Sequence, residues 1–114
     1  MTVHGYDLVG DIHGHAYALH RLLRELDYAA IEGVFRHPKR QMIFVGDFID
    51  RGPQREVLRI ARFMCEAGAA MAVMGNHEFN AIGWVAQDKD GALLRSHSTG
   101  RSFMMRRIYR AQLE

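Results

Sequence analysis

A single cysteine, Cys65, stands among the 114 residues, so no disulfide can form within the chain, and such sparing use of thiols fits a reducing compartment. It falls on an apolar helical stripe, the place of a small core residue rather than of a catalytic thiol. No apolar run approaches the roughly 18 to 20 residues of a membrane span. The opening Met1-Thr2-Val3-His4-Gly5 lacks the charged and apolar regions of a signal peptide, which places the expected location in the cytoplasm. There is no repeat, low-complexity tract or linker. Nor is there a dense basic block: 15 Lys and Arg against 13 Asp and Glu leave a charge of +2, and a nucleic-acid surface is not indicated.

What is present is the composition of an ordinary folded domain, 48% hydrophobic and 25% charged, with room for one modest core. A domain this short buries a moderate share of its unfolded surface and leans on completed sheets, metals or partners. Tyr6-Asp7-Leu8-Val9 reads as a strand ending at Gly10. From Ala16 to Asp27, Leu19, Leu22, Leu23 and Leu26 recur at helical spacing and form one apolar face. Gln41-Met42-Ile43-Phe44-Val45 is a near-continuous apolar run stopped by Gly46, the pattern of a strand covered on both faces. Pro53 opens a second helix, with Val57, Ile60, Ala61, Met64 and Cys65 on one side and Gly68 at its end. Ala70 to Met74 repeats the buried-strand signal before Gly75. The order β-α-β-α-β predicts an α/β fold with a parallel sheet and crossover helices. Beyond Gly75 a short helix carrying Phe79 and Ile82 is expected, then a polar turn at Gln87-Asp88-Lys89-Asp90-Gly91 and a last helix from about Ser102 to Leu113.

Each strand ends in a glycine followed by side chains able to bind metal. These are Gly10-Asp11-Ile12-His13-Gly14, Gly46-Asp47-Phe48-Ile49-Asp50-Arg51-Gly52 and Gly75-Asn76-His77-Glu78. Loops after the carboxyl ends of adjacent parallel strands converge on one crevice, so three clusters become one site. Carboxylate, imidazole and amide oxygen suit a borderline ion such as Mn, Fe, Zn, Co or Ni, and no thiolate set for a structural zinc exists. Asp11 and His13, at i and i+2, can face one ion; Asp47 can bridge two with its two oxygens, and Asn76 offers a neutral oxygen to the second. Two ions so held activate water and clamp phosphate oxygens for in-line attack on phosphorus. His77 could then protonate the leaving oxygen, with Asp50 as the carboxylate that orients it. Arg51 supplies a planar fork for phosphate oxygens.

In this order after successive strands, the three motifs resemble the first three of the calcineurin-like metallophosphoesterases. Asp50-Arg51-Gly52-Pro53 is similar to the branch holding the Ser/Thr phosphoprotein phosphatases and the bacterial diadenosine tetraphosphatases. The resemblance implies the β-α-β-α-β half of a four-layer α/β/β/α sandwich. It assigns Asp11 and His13 to a first metal, Asp47 to the bridge and Asn76 to a second metal and the phosphate. It makes His77 the general acid, with Asp50 as its partner, and Arg51 a phosphate contact. It also implies that residues 1–114 are the N-terminal part of a catalytic domain whose further histidine ligands lie in later motifs. The expected function is therefore metal-dependent hydrolysis of phosphate monoesters or anhydrides, with two divalent ions, manganese foremost. The second site is incomplete in this chain, which alone would be inactive. Substrates would be a phosphoprotein, a nucleotide or a small phosphoester. A non-catalytic metal or phosphate binder and a fragment associating through an unfinished sheet are the alternatives. Among the remaining residues, Glu78 reads as a first-turn helix residue favoured by the dipole. His15 and His20 read as solvated, and His4 and His37 as loop positions. His97 is either a surface histidine or a further ligand, and Trp84, Met104 and Met105 read as core or interface.

Overall fold

The computed structural model describes residues 2–86 and 90–91. Its elements are β1 (Gly5–Val9), α1 (Ala16–Glu25), β2 (Ala29–Ile31), β3 (Val34–Arg36), β4 (Arg40–Phe44), α2 (Gln54–Glu66), β5 (Ala70–Ala72) and α3 (Asn76–Val85). Strands β1, β4 and β5 form a parallel sheet in that order, with Leu8 opposite Ile43 and Ile43 opposite Met71. The expected β-α-β-α-β succession is thus present, with α1 and α2 as the crossovers. Of the later expectations, residues 87–89, His97, Met104, Met105 and the helix from Ser102 lie outside the described residues.

Helix α1 buries Leu19 and Leu23, and α2 buries Val57, Ile60, Ala61 and Met64, so both apolar stripes do face inward. They meet Met42 and Phe44 of β4, each fully buried, together with Ile12, Phe48 and Ile49 from the turns. Each such large side chain contributes on the order of 1.5 to 3 kcal/mol on burial. Both helices end with crossed backbone bonds, Tyr28 N–H to the Leu23 carbonyl at 2.9 Å and Ala69 N–H to that of Met64 at 2.8 Å. These satisfy carbonyls that a helix end leaves open. Cys65 packs at the edge of the core, and burial pushes its thiol pKa up, as suits an inert side chain.

Three features depart from the sequence reading. Between α1 and β4 lies an antiparallel hairpin, β2–β3, whose Phe35 is buried. His20 is only partly solvated; its Nε2 lies 3.6 Å from a Glu56 oxygen and its ring meets Phe35 edge-on. Most consequential, the described residues cover the sheet on one face. Tyr6, Leu8, Val45, Met71 and Val73, on the other, are exposed.

Midway along β1, Asp7 is buried. It accepts hydrogen bonds from Arg40 and, at 2.9 Å, from the Tyr28 hydroxyl, which ties β1 to β4 and to the residue that precedes the hairpin. The Arg40 hydrogen bonds hold its carboxyl below the usual range.

Candidate active site

All three glycine-flanked turns lie at the carboxyl ends of β1, β4 and β5, and the backbones of the first two are bonded to one another. His13 N–H donates to the Asp47 carbonyl at 2.9 Å and Gly14 N–H to that of Phe48 at 2.7 Å. The approach is so close that a Cβ on Gly14, which sits at φ +76°, would lie 2.5 Å from backbone atoms of Gly52. Glycine is required there both by conformation and by space.

Asp11, His13 and Asp47 converge, with one potential ligand atom from each lying within 4.8 Å of the others. The tautomer of His13 follows from its partner: Nδ1 is 3.0 Å from the Ile49 carbonyl, which can only accept, so Nδ1 carries the proton. Its Nε2, 3.7 Å from an Asp11 oxygen, is left with a lone pair on the side of the two carboxylates. Asp11 is open to solvent, whereas His13 is buried.

Asp47 lies at the N-terminus of α3, where its Oδ1 accepts the His77 backbone N–H at 3.0 Å. A helix start favours a carboxylate there. One end of the Asn76 side-chain amide is 3.1 Å from both Asp47 oxygens. With its NH2 at that end, the amide donates to the carboxylate. With its oxygen there, three oxygens face one another, and only a cation among them would hold that arrangement. The donor set of imidazole nitrogen, carboxylates and amide oxygen therefore fits a divalent ion.

His77 Nδ1 is 2.7 Å from Asp50 Oδ2, and its ring meets that of His13 edge-on with centroids 4.6 Å apart. Asp50 is buried; its backbone N–H donates to Gln54 at 3.1 Å, while Oδ1 has no hydrogen-bond partner among the described residues. An ionised carboxylate only accepts, so the proton on Nδ1 points at Asp50 and Nε2 is free to face outward. Arg51 is exposed on the same turn.

Sequence reasoning passed over Glu78. Far from being only a first-turn helix residue, it accepts backbone N–H bonds from Gly75, Asp47, Phe48 and Ile49. Its position carried a signal. A glutamate three residues after the N-cap is placed to accept that residue's N–H, as Glu78 does from Gly75 at 2.9 Å, and this leaves its second oxygen for other donors.

An open α/β sheet with a carboxylate and imidazole cluster at its strand ends defines the class: an α/β protein with a candidate metal site at the carboxyl ends of its strands. The chain belongs to the calcineurin-like phosphoesterase family, whose match extends over residues 6–109. It is 40% identical over 74 residues to a bis(5'-nucleosyl)-tetraphosphatase (asymmetrical) of Halalkalibacterium halodurans, a match covering 63% of this chain and 30% of that protein. The enzyme of the same name from Bacillus subtilis is 40% identical over the same shares. That from Oceanobacillus iheyensis is 37% identical over 62% of this chain and 29% of its own length. The chain thus spans less than a third of the curated relatives it matches. No solved structure matches it.

Proposed function

We propose that residues 1–114 are the N-terminal part of a catalytic domain that hydrolyses phosphate anhydrides or monoesters. Dinucleoside polyphosphates are the first substrates to test and phosphoproteins the second. The observation that carries this reading is the convergence of Asp11, His13 and Asp47 beside an imidazole already paired with a buried carboxylate. Asp11, His13 and Asp47 would hold one divalent ion, and Asp47 with Asn76 a second, manganese before Fe, Zn, Co or Ni. Such ions lower the pKa of water and offset the charge that develops on phosphorus. The chain's own groups would supply the rest. Asp50 fixes the His77 ring so that Nε2 can deliver a proton to the leaving oxygen. Arg51 and Asn76 would bind phosphate oxygens and hold them in line.

Two protein ligands are too few to hold a second ion firmly, so the chain by itself is expected to turn over slowly or not at all. Among the described residues no helix is long and apolar enough to cross a membrane, and the proposed location is the cytoplasm. The open sheet face supports self-association of the isolated chain.

A manganese titration by calorimetry, run beside assays on a dinucleoside tetraphosphate and on para-nitrophenyl phosphate, tests the reading. One ion bound through Asp11, His13 and Asp47, abolished by Asp47→Asn, is the expected result. Binding unaffected by Asp47→Asn would overturn the metal assignment, and two tightly held ions with rapid turnover would overturn the incomplete second site.

A further inference from the structure

Both oxygens of Glu78 are engaged, and all four bond partners are backbone N–H groups. Oε1 accepts the N–H of Gly75 at 2.9 Å and of Asp47 at 2.5 Å; Oε2 accepts those of Phe48 at 2.9 Å and Ile49 at 3.3 Å. Three of these donors are consecutive in the turn after β4, which carries Asp47 and Asp50. The fourth begins the turn that carries Asn76 and His77. Successive N–H groups turned inward form a concave anion cradle, here filled by a carboxylate from the neighbouring segment. Because Asp47 is left-handed, at φ 57°, its N–H points into this cradle while its side chain reaches the N-terminus of α3. The bonds to an ionised acceptor are also stronger than bonds between neutral groups.

We propose that Glu78 is a positioning residue: its carboxylate locks the Asp47 turn to the Asn76–His77 turn and so sets the spacing between the candidate metal ligands. This deepens the proposed site and rests on it. Glu78 touches no ion or substrate itself. Its charge and length both matter. Gln has the same shape but places an NH2 against N–H donors, and Asp keeps the charge but is one methylene short of spanning both turns.

Manganese affinity of the chain, measured by calorimetry well below the unfolding temperature, is compared among wild type, Glu78→Gln, Glu78→Asp and Asp47→Asn. Amide hydrogen exchange at Asp47, Phe48, Ile49 and Gly75 is followed in the metal-free proteins. Glu78→Gln is expected to weaken manganese binding on the order of 10- to 100-fold, as outer-shell substitutions do, with Glu78→Asp between it and wild type. Exchange should quicken at those four amides and not in α1 or α2. Wild-type affinity in Glu78→Gln, with Asp47→Asn impaired, would overturn the positioning role alone. Unchanged binding in Asp47→Asn would instead sink the metal site on which it rests. If Glu78→Gln does not melt cooperatively, Glu78→Asp decides by the same criterion: weakened binding with faster exchange at the four amides supports the role, and wild-type behaviour overturns it.

Discussion

Among the described residues, seven non-glycine residues have left-handed backbones, and five of them, Asp11, His13, Asp47, Asp50 and Arg51, lie in the first two strand-end turns. Each such residue costs on the order of 1 kcal/mol, which the bonds between turns offset. Three of the five are aspartates, a residue type that tolerates this region comparatively well. Gly14 shows how closely the two turns depend on one another. Gly14→Ala adds left-handed strain and drives a Cβ into the Gly52 backbone, which cannot yield as a flexible side chain could. A loss of about 2 to 5 kcal/mol is expected, from the sum of the strain and overpacking costs. Gly68 provides the control, since it has nearly the same φ, +77°, but nothing within 4 Å of an added Cβ. Gly68→Ala should therefore cost only about 1 to 2 kcal/mol. Urea midpoints of the two variants measure the difference, and equal losses would mean that the contact between the turns carries little energy.

At the scale of elements, the three strands, two crossover helices and three turns were legible because each leaves a periodic or punctuating mark. Apolar runs stopped by glycine gave the strands, and leucine spacing gave α1. The turn residues were legible because few side chains suit the chemistry read there. The hairpin β2–β3 left weaker marks. Its strands are three residues each, and the turn between them is Glu32-Gly33, both at positive φ, where Asn-Gly would have signalled a two-residue hairpin. Glu32 is a poor occupant of that position, so Glu32→Asn should stabilise the chain by about 0.5 to 1 kcal/mol without touching the strand-end turns. The urea midpoint should rise while manganese affinity stays constant; a fall would show that the turn is not of the type that favours asparagine. Glu78, correctly read as a first-turn helix residue, was read incompletely for a different reason. An acidic residue in a helix's first turn is adequately explained by the dipole, and only the fold brings the Asp47 turn within its reach.

For the whole molecule, the error in reading β4 as covered on both faces is itself informative. Parallel strands rich in Val, Ile, Leu and Met on both faces belong in a two-sided layer, and the sequence pattern is of that kind. Among the described residues, helices cover only one side. The other presents Leu8 of β1 at 68% exposure, Met71 of β5 at 46% and Val73 just beyond it at 57%. Helix α3 repeats the situation, with no buried residue and with Phe79, Ile82 and Val85 exposed along one side. Contiguous apolar surface of this extent marks an interface or an aggregation hazard. The isolated chain is accordingly expected to run in light scattering at a mass above the monomer's, increasingly so with concentration. The double variant Leu8→Lys with Met71→Lys should shift it toward monomer, since two ammonium groups, on the strands either side of β4, would have to be desolvated in any contact over that face. Because both side chains are already exposed and none of the core is altered, the unfolding midpoint should change little. Manganese binding at the far ends of the strands should also persist. A wild-type chain that stays monomeric at all concentrations would show that the open face does not drive association. A variant that associates as before would place the contact elsewhere, with α3 as the next surface to charge.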